Sequence, residues 1–181
     1  MPLKRLIPCA FFVLAAALWV PLAQADDLTD VQDLLKGGRT AEALAKAEQV
    51  LAARPRDAQM RFVRGVILSE TGRKDEAQAV FLQLTREFPE LPEPHNNLAV
   101  LYAAQNQLDK AREELEAALR SNPGYATAHE NLGDVYVRMA NDAYRRASEL
   151  NPLNVGLDPK LRLSRELLQA LQTPQPVRPA R

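Results

Sequence analysis

Apolar residues recur along most of this chain at steps of three and four, the spacing that keeps one face of a helix apolar. Leu28, Val31, Leu34 and Leu35 form a short stripe, and Ala43, Ala47, Val50 and Leu51 form the next. Later stripes have members at matching offsets. Ala77, Phe81 and Leu84 lie 34 residues after Ala43, Ala47 and Val50, and Ala111, Leu115 and Ala118 lie 34 further on. Pro55, Pro89 and Pro123 close the three blocks at the same interval. Between the stripes stand turn residues: Gly37 and Gly38, then Gly72, then Asn106. The pattern predicts pairs of short helices, each pair ended by a proline that cannot continue a helix.

The small, bulky, small order before each proline and the 34-residue period resemble the tetratricopeptide (TPR) repeat family. Leu98, Ala99 and Tyr102 match the leucine, small and aromatic positions of the family's first helix, and Gly65 matches the small residue where two helices approach closely. The resemblance implies an all-α solenoid of TPR-type helical hairpins. The expected organisation is repeat one over 26–55, repeat two over 56–89, repeat three over 90–123, a shortened repeat four over 124–152, and a capping helix over 153–172. Residues 173–181 read as a disordered, proline-rich tail.

The fourth block departs from the pattern. Leu132, Gly133 and Tyr136 keep their distances from Pro123, and Ala140, Tyr144 and Ala147 keep the second-helix spacing before Pro152. The five turn residues between those groups are missing. Leu132, Tyr136, Met139, Ala143, Ala147 and Leu150 run on in a single helical phase. One long helix over about 125–150 is expected, with a compressed hairpin as the alternative. The register places Gly133 at a close helix crossing. Thr40 is expected to cap the second helix of repeat one. Leu161, Leu167, Leu168 and Leu171 are expected to give the last helix one apolar face, with the other side polar to close the array.

Residues 1–25 carry two early charges, Lys4 and Arg5, an apolar run over 6–22, and Ala23-Gln24-Ala25. That order reads as a secretory signal peptide cleaved after Ala25; the competing reading is a membrane anchor. Cys9 lies at the start of the apolar run, where a lipoprotein cysteine would follow it, so it belongs to the discarded leader. With the leader, the resemblance is to the secreted bacterial type, periplasmic or secreted, with no membrane anchor once cleaved. Removing Lys4 and Arg5 from 23 Lys and Arg leaves 21 against 23 Asp and Glu, a formal charge of −2. No basic excess favours nucleic acid, and the remaining chain has no cysteine for thiol chemistry or disulfides.

No catalytic, metal or cofactor constellation is legible. His95 and His129 lie 34 residues apart, at the large aromatic position that packs within the hairpin, and not four apart as a helical metal pair would be. No phosphate loop or nucleophile elbow is present. The reading is therefore a non-enzymatic adaptor that binds a protein or peptide, without cofactor. Asn97 and Asn131 fall where TPR proteins face the groove, and a carboxamide can both donate to and accept from an extended backbone. Asparagine is also the family's common residue there, with no ligand implied. Phe62 and Val66 read as an apolar groove patch or as core. The positions used by carboxylate-gripping TPR proteins are Leu28, Gln32, Phe62, Val66, Glu93 and Asn97 here, none of them basic. Asn96, Glu130, Asp134 and Arg138 flank the groove as a mixed polar face, most simply a solvated one. The second functional reading is an assembly subunit, pairing through its long helix and cap with another chain, a second copy included.

Overall fold

The computed structural model describes residues 20–172. Most of the leader reading and the whole proline-rich tail lie outside them. The described residues form eight α-helices and no strand. They are α1 (Val20–Lys36), α2 (Thr40–Ala53), α3 (Ala58–Glu70), α4 (Lys74–Glu87), α5 (Pro92–Ala104), α6 (Leu108–Ser121), α7 (Ala126–Leu150) and α8 (Asp158–Gln172), with a 3-10 turn at Val155–Leu157 before α8.

Three short turns repeat one another. Gly38, Gly72 and Asn106 all take positive φ, at 70°, 80° and 58°. The amides of Arg39, Arg73 and Gln107 then donate to the carbonyls of Leu34, Leu68 and Tyr102, each at 2.9 Å. This left-handed residue followed by a bond back to the last helical turn satisfies carbonyls that would otherwise be orphaned. Glycine takes the conformation freely and asparagine tolerates it, which is why Asn106 could be aligned with two glycines. Thr40 is the first helical residue of α2 and not its cap; Arg39 holds the cap position and makes no capping bond through its side chain. Arg39 instead pairs with Glu42, and Arg73 repeats the pairing with Glu76, each at 2.6 Å.

A second turn also repeats. The amides of Arg54, Phe88, Asn122 and Asn151 donate to Val50, Leu84, Ala118 and Ala147. Three residues later Asp57, Leu91, Tyr125 and Asn154 donate back to Arg54, Phe88, Asn122 and Asn151, each at 3.1 Å. The fourth block thus begins and ends like the others. Its two helices are fused into α7 because nothing in its middle takes positive φ.

The chain divides into two compact units between Met60 and Arg61, within α3. In the first, α1 packs on α2 and buries Val31, Ala43, Ala47 and Val50. Asp27, midway along α1, meets Lys46 of α2 and Arg54 at its C-terminal cap, both at 2.9 Å. In the second, α4 packs on α5, α5 on α6, α6 on α7 and α7 on α8, so each helix is covered chiefly by its sequence neighbours. Phe81, Leu84, Leu98 and Leu115 are fully buried or nearly so.

Gly65 stands at a close approach, as expected: a methyl built there would lie 2.7 Å from Cε1 of Phe81. Gly133 does not, which corrects the expected crossing. It is exposed, and nothing lies within 4 Å of where its methyl would be. The reason is the fusion: with no turn, the second half of α7 does not fold back over the first. The same cause separates the histidines. His95 is buried, its Nδ1 2.6 Å from Glu114 Oε2, whereas His129 is exposed and its Nε2 lies 2.9 Å from the Pro123 carbonyl.

The 3-10 turn and the last helix, α8, dock on α7, burying Leu157 of the turn and Leu161 and Ser164 of the helix. Asn141 donates to the Ser164 hydroxyl at 2.8 Å, and Lys160 lies over the Tyr144 ring. Its outer side is not polar throughout. Leu163 and Leu167 are exposed, as are Leu150, Leu153 and Val155 nearby in the chain.

Candidate functional site

A cavity of about 260 Å³ opens between α5 and α7. Helix α5 supplies Ala99, Val100, Ala103 and Ala104, α6 supplies Leu115, and α7 supplies Asn131, Asp134, Val135 and Arg138. The α7 residues are spaced three and four apart and so share one face. Small side chains on α5 leave the space that larger ones would fill.

Two hydrogen bonds tie the walls together. The Asn131 carboxamide donates to Asn96 Oδ1 at 2.8 Å, and Arg138 Nη1 donates to the Ala103 carbonyl at 3.2 Å. Asn96 is buried, so its oxygen needs that donor. Asp134 is half-buried. Burial, and then the like charge of Glu130 one turn earlier, raise its carboxyl above the usual range, while Arg138 pulls in the opposite direction. Neither Asp134 nor Glu130 makes a side-chain hydrogen bond or ion pair among the described residues. Val100 stands at the rim, 47% exposed.

The sequence-predicted residues are only partly brought together. Asn131 lines the cavity. Asn97 does not; its carboxamide donates to the Glu93 carbonyl one turn back on its own helix, at 2.9 Å. Asn131 therefore pairs with Asn96, the neighbour of the residue expected beside it. Phe62 is half-buried and leans on Phe81, ring centroids 5.8 Å apart, and Val66 is half-buried. Asp134 and Arg138, read from the sequence as a solvated face, converge on the cavity with Asn131. The signal was present in the three-and-four spacing of 131, 134 and 138. The alanines opposite gave no signal, since alanine is common in any helix. Among the described residues no group of three or more His, Cys, Asp or Glu is placed to hold a metal. None of the described helices is long and apolar enough to cross a membrane.

Family models described as "Tetratricopeptide repeat" and "TPR repeat" match residues 28–92 and 101–139, together more than half of the chain. Both stretches of the chain carry tetratricopeptide repeats. Solved structures agree. The crystal structure of MamA superposes with a TM-score of 0.57 at 20% identity, over 77% of this chain and 86% of that one. YrrB, described as a TPR protein with an unusual peptide-binding site, gives 0.52 at 27% identity, over 55% of this chain and 52% of its own. The second TPR domain of human RPAP3, solved with an HSP70 peptide, gives 0.57 at 18%, over 64% and 98%. The fold class is thus all-α, built of TPR-type hairpins with an irregular fourth repeat and a C-terminal capping helix. A TPR fold of this kind is that of a protein-interaction scaffold.

Proposed function

We propose that this TPR protein is a non-enzymatic adaptor of the bacterial cell envelope, which holds an extended segment of a partner protein on the α5 and α7 face. The observation that carries the reading is the cavity itself. It is open and lined by small apolar residues of α5 and by Asn131, Asp134 and Arg138 of α7, so that a carboxylate and a guanidinium stand close to a small-residue wall. Concave sites of that composition suit a ligand that buries an apolar part and aligns its polar groups at the edge. Asn131 contributes its carboxamide there. Phe62, Val66 and Asn97, half-exposed on α3 and α5, are proposed as outlying contacts of a longer segment.

The envelope location rests on the leader pattern of residues 1–25. Cleavage after Ala25 would begin the chain at Asp26 and keep Asp27, which joins α1 to α2. The assembly reading is favoured by a different observation: Leu150, Leu153, Val155, Leu163 and Leu167, around the end of α7 and on α8, are exposed apolar side chains among the described residues. A photo-crosslinking residue at Val100 or at Leu163, in the protein isolated from the periplasm, separates the two. The adaptor reading expects a crosslinked partner from Val100. Adducts from Leu163 alone would hand the lead to assembly. N-terminal sequencing of the same material should start at Asp26, and a chain that retains Met1 would overturn the location.

A further inference from the structure

We infer that two copies of this chain pair through α7, the second half of each α7 covering the first half of the other. Each copy thereby supplies the helix that the other's fourth hairpin lacks. This goes beyond the adaptor reading and does not depend on it. Gly133 and Tyr136 lie 34 residues after Ala99 and Tyr102, and Ala140 and Ala147 precede Pro152 by the distances at which Ala111 and Ala118 precede Pro123. In the third block, where α6 packs back on α5, all four residues are buried. In the fourth block Gly133 is exposed, Tyr136 is 47% exposed, and Ala140 and Ala147 are half-buried. That block keeps the residues of a hairpin interface and lacks the turn that would close it. Along the straight helix they join Ala143 and Leu150 in one uncharged stripe at steps of three and four, with Tyr136 and Leu150 as its large exposed members.

A second copy fits this face because it carries the missing half of the same interface. Shortening the connection between two packed segments favours exchange between chains: segments that cannot meet within one copy meet between two. A two-fold axis sets the two α7 helices antiparallel, and every contact then forms twice. The second hairpin of this chain gives the register. There a methyl at Gly65 would lie 3.1 Å from Cγ1 of Val80. Gly133 and Ala143 hold the equivalent positions, so Gly133 of one copy faces Ala143 of the other. Helix α8 extends the face. It runs antiparallel to its own α7, with Asn141 bonded to Ser164 and Lys160 over the Tyr144 ring. Leu163 and Leu167 follow Lys160 at helical steps and turn to the side on which the stripe lies. Asn131 and Ala140 are nine residues apart, about two and a half turns, so the cavity lies on the opposite side of α7 and stays open in both copies.

The test is sedimentation and disulfide trapping of the purified chain, with Cys9→Ser to remove its one cysteine. Sedimentation velocity should show a monomer that gives way to a dimer as concentration rises. Each copy keeps its own packing of α8 on α7, so dilute protein presents the face uncovered. Ala143→Arg places a charge on the exposed side of α7; helicity should be unchanged and dimer affinity reduced about tenfold or more. Asp109→Asn on α6, whose side chain is 81% exposed, should change neither. A chain carrying both Gly133→Cys and Ala143→Cys should oxidise to a covalent dimer. Within one straight helix these positions stand about 15 Å apart, beyond the roughly 7 Å between Cα atoms that a disulfide spans. An internal disulfide in a monomer would show the hairpin closed within one chain and would overturn the proposal. So would a monomer at every concentration up to about 1 mM, or a dimer indifferent to Ala143→Arg. A covalent dimer formed as readily by Gly133→Cys alone would overturn the antiparallel pairing.

Discussion

Two glycines on first helices of their repeats, Gly65 on α3 and Gly133 on α7, should respond to alanine with opposite signs. Sequence register gives them the same role, and the structure does not. At Gly65 the added methyl would lie 2.7 and 3.0 Å from Cε1 and Cζ of Phe81 and 3.1 Å from Cγ1 of Val80. Phe81 is fully buried, so its ring has no room to swing aside. Overpacking of this kind costs about 1–3 kcal/mol, and the better helix propensity of alanine returns up to about 1 kcal/mol. A net loss of about 1–2 kcal/mol is expected for Gly65→Ala. At Gly133 the methyl meets nothing within 4 Å and φ is not positive, so only the propensity gain remains. Gly133→Ala should stabilise by about 0.5–1 kcal/mol. At roughly 2–4 °C per kcal/mol for a chain of this size, circular-dichroism melts resolve both. A double-mutant cycle of Gly65→Ala with Phe81→Leu should show a favourable coupling, because the smaller side chain relieves the contact. A neutral or stabilising Gly65→Ala would refute the close approach. A Gly133→Ala that lowers the melting temperature by several degrees would show that a helix does cover that face.

Two titratable groups lead to pH-dependent expectations. Asp27 is held below the usual carboxylate range by its hydrogen bond to Lys46 and by the charges of Lys46 and Arg54, against the opposing effect of burial. Its contribution is present above the unfolded carboxylate pKa and is lost as pH falls through the lower folded value. Asp27→Asn should therefore destabilise the protein at neutral pH by up to about 1 kcal/mol, read as a lower melting temperature, and the gap from the parent should close in strong acid; a gap constant across pH would rule out the ion pair as its source. Asp134 works the other way. Burial and Glu130 raise its pKa, so its contribution is favourable below the unfolded pKa and is lost as pH rises through the higher folded one. Asp134→Asn should raise the melting temperature at neutral pH and not in acid, and a lowered neutral melting temperature would contradict a carboxylate penalised by burial.

The sequence alone determined the elements whose signal is local. The 34-residue period, the turn residues and the closing prolines specify where helices stop, because a positive φ or a missing amide acts within one turn of chain. Gly38, Gly72 and Asn106 were legible as one kind of turn for that reason, and so was the fusion in α7, where no such residue interrupts the phase between Gly133 and Pro152. Tertiary structure decided everything that depends on what lies opposite. Gly65 and Gly133, or His95 and His129, are equivalent by register, yet one of each pair is covered by a second helix and the other is not. The cavity has the same origin. Asp134 and Arg138 look like solvated charges along α7, and only the packing of α5 sets Ala99 and Ala103 across from them. That packing leaves a carboxylate half out of water, beside a space that no described residue fills.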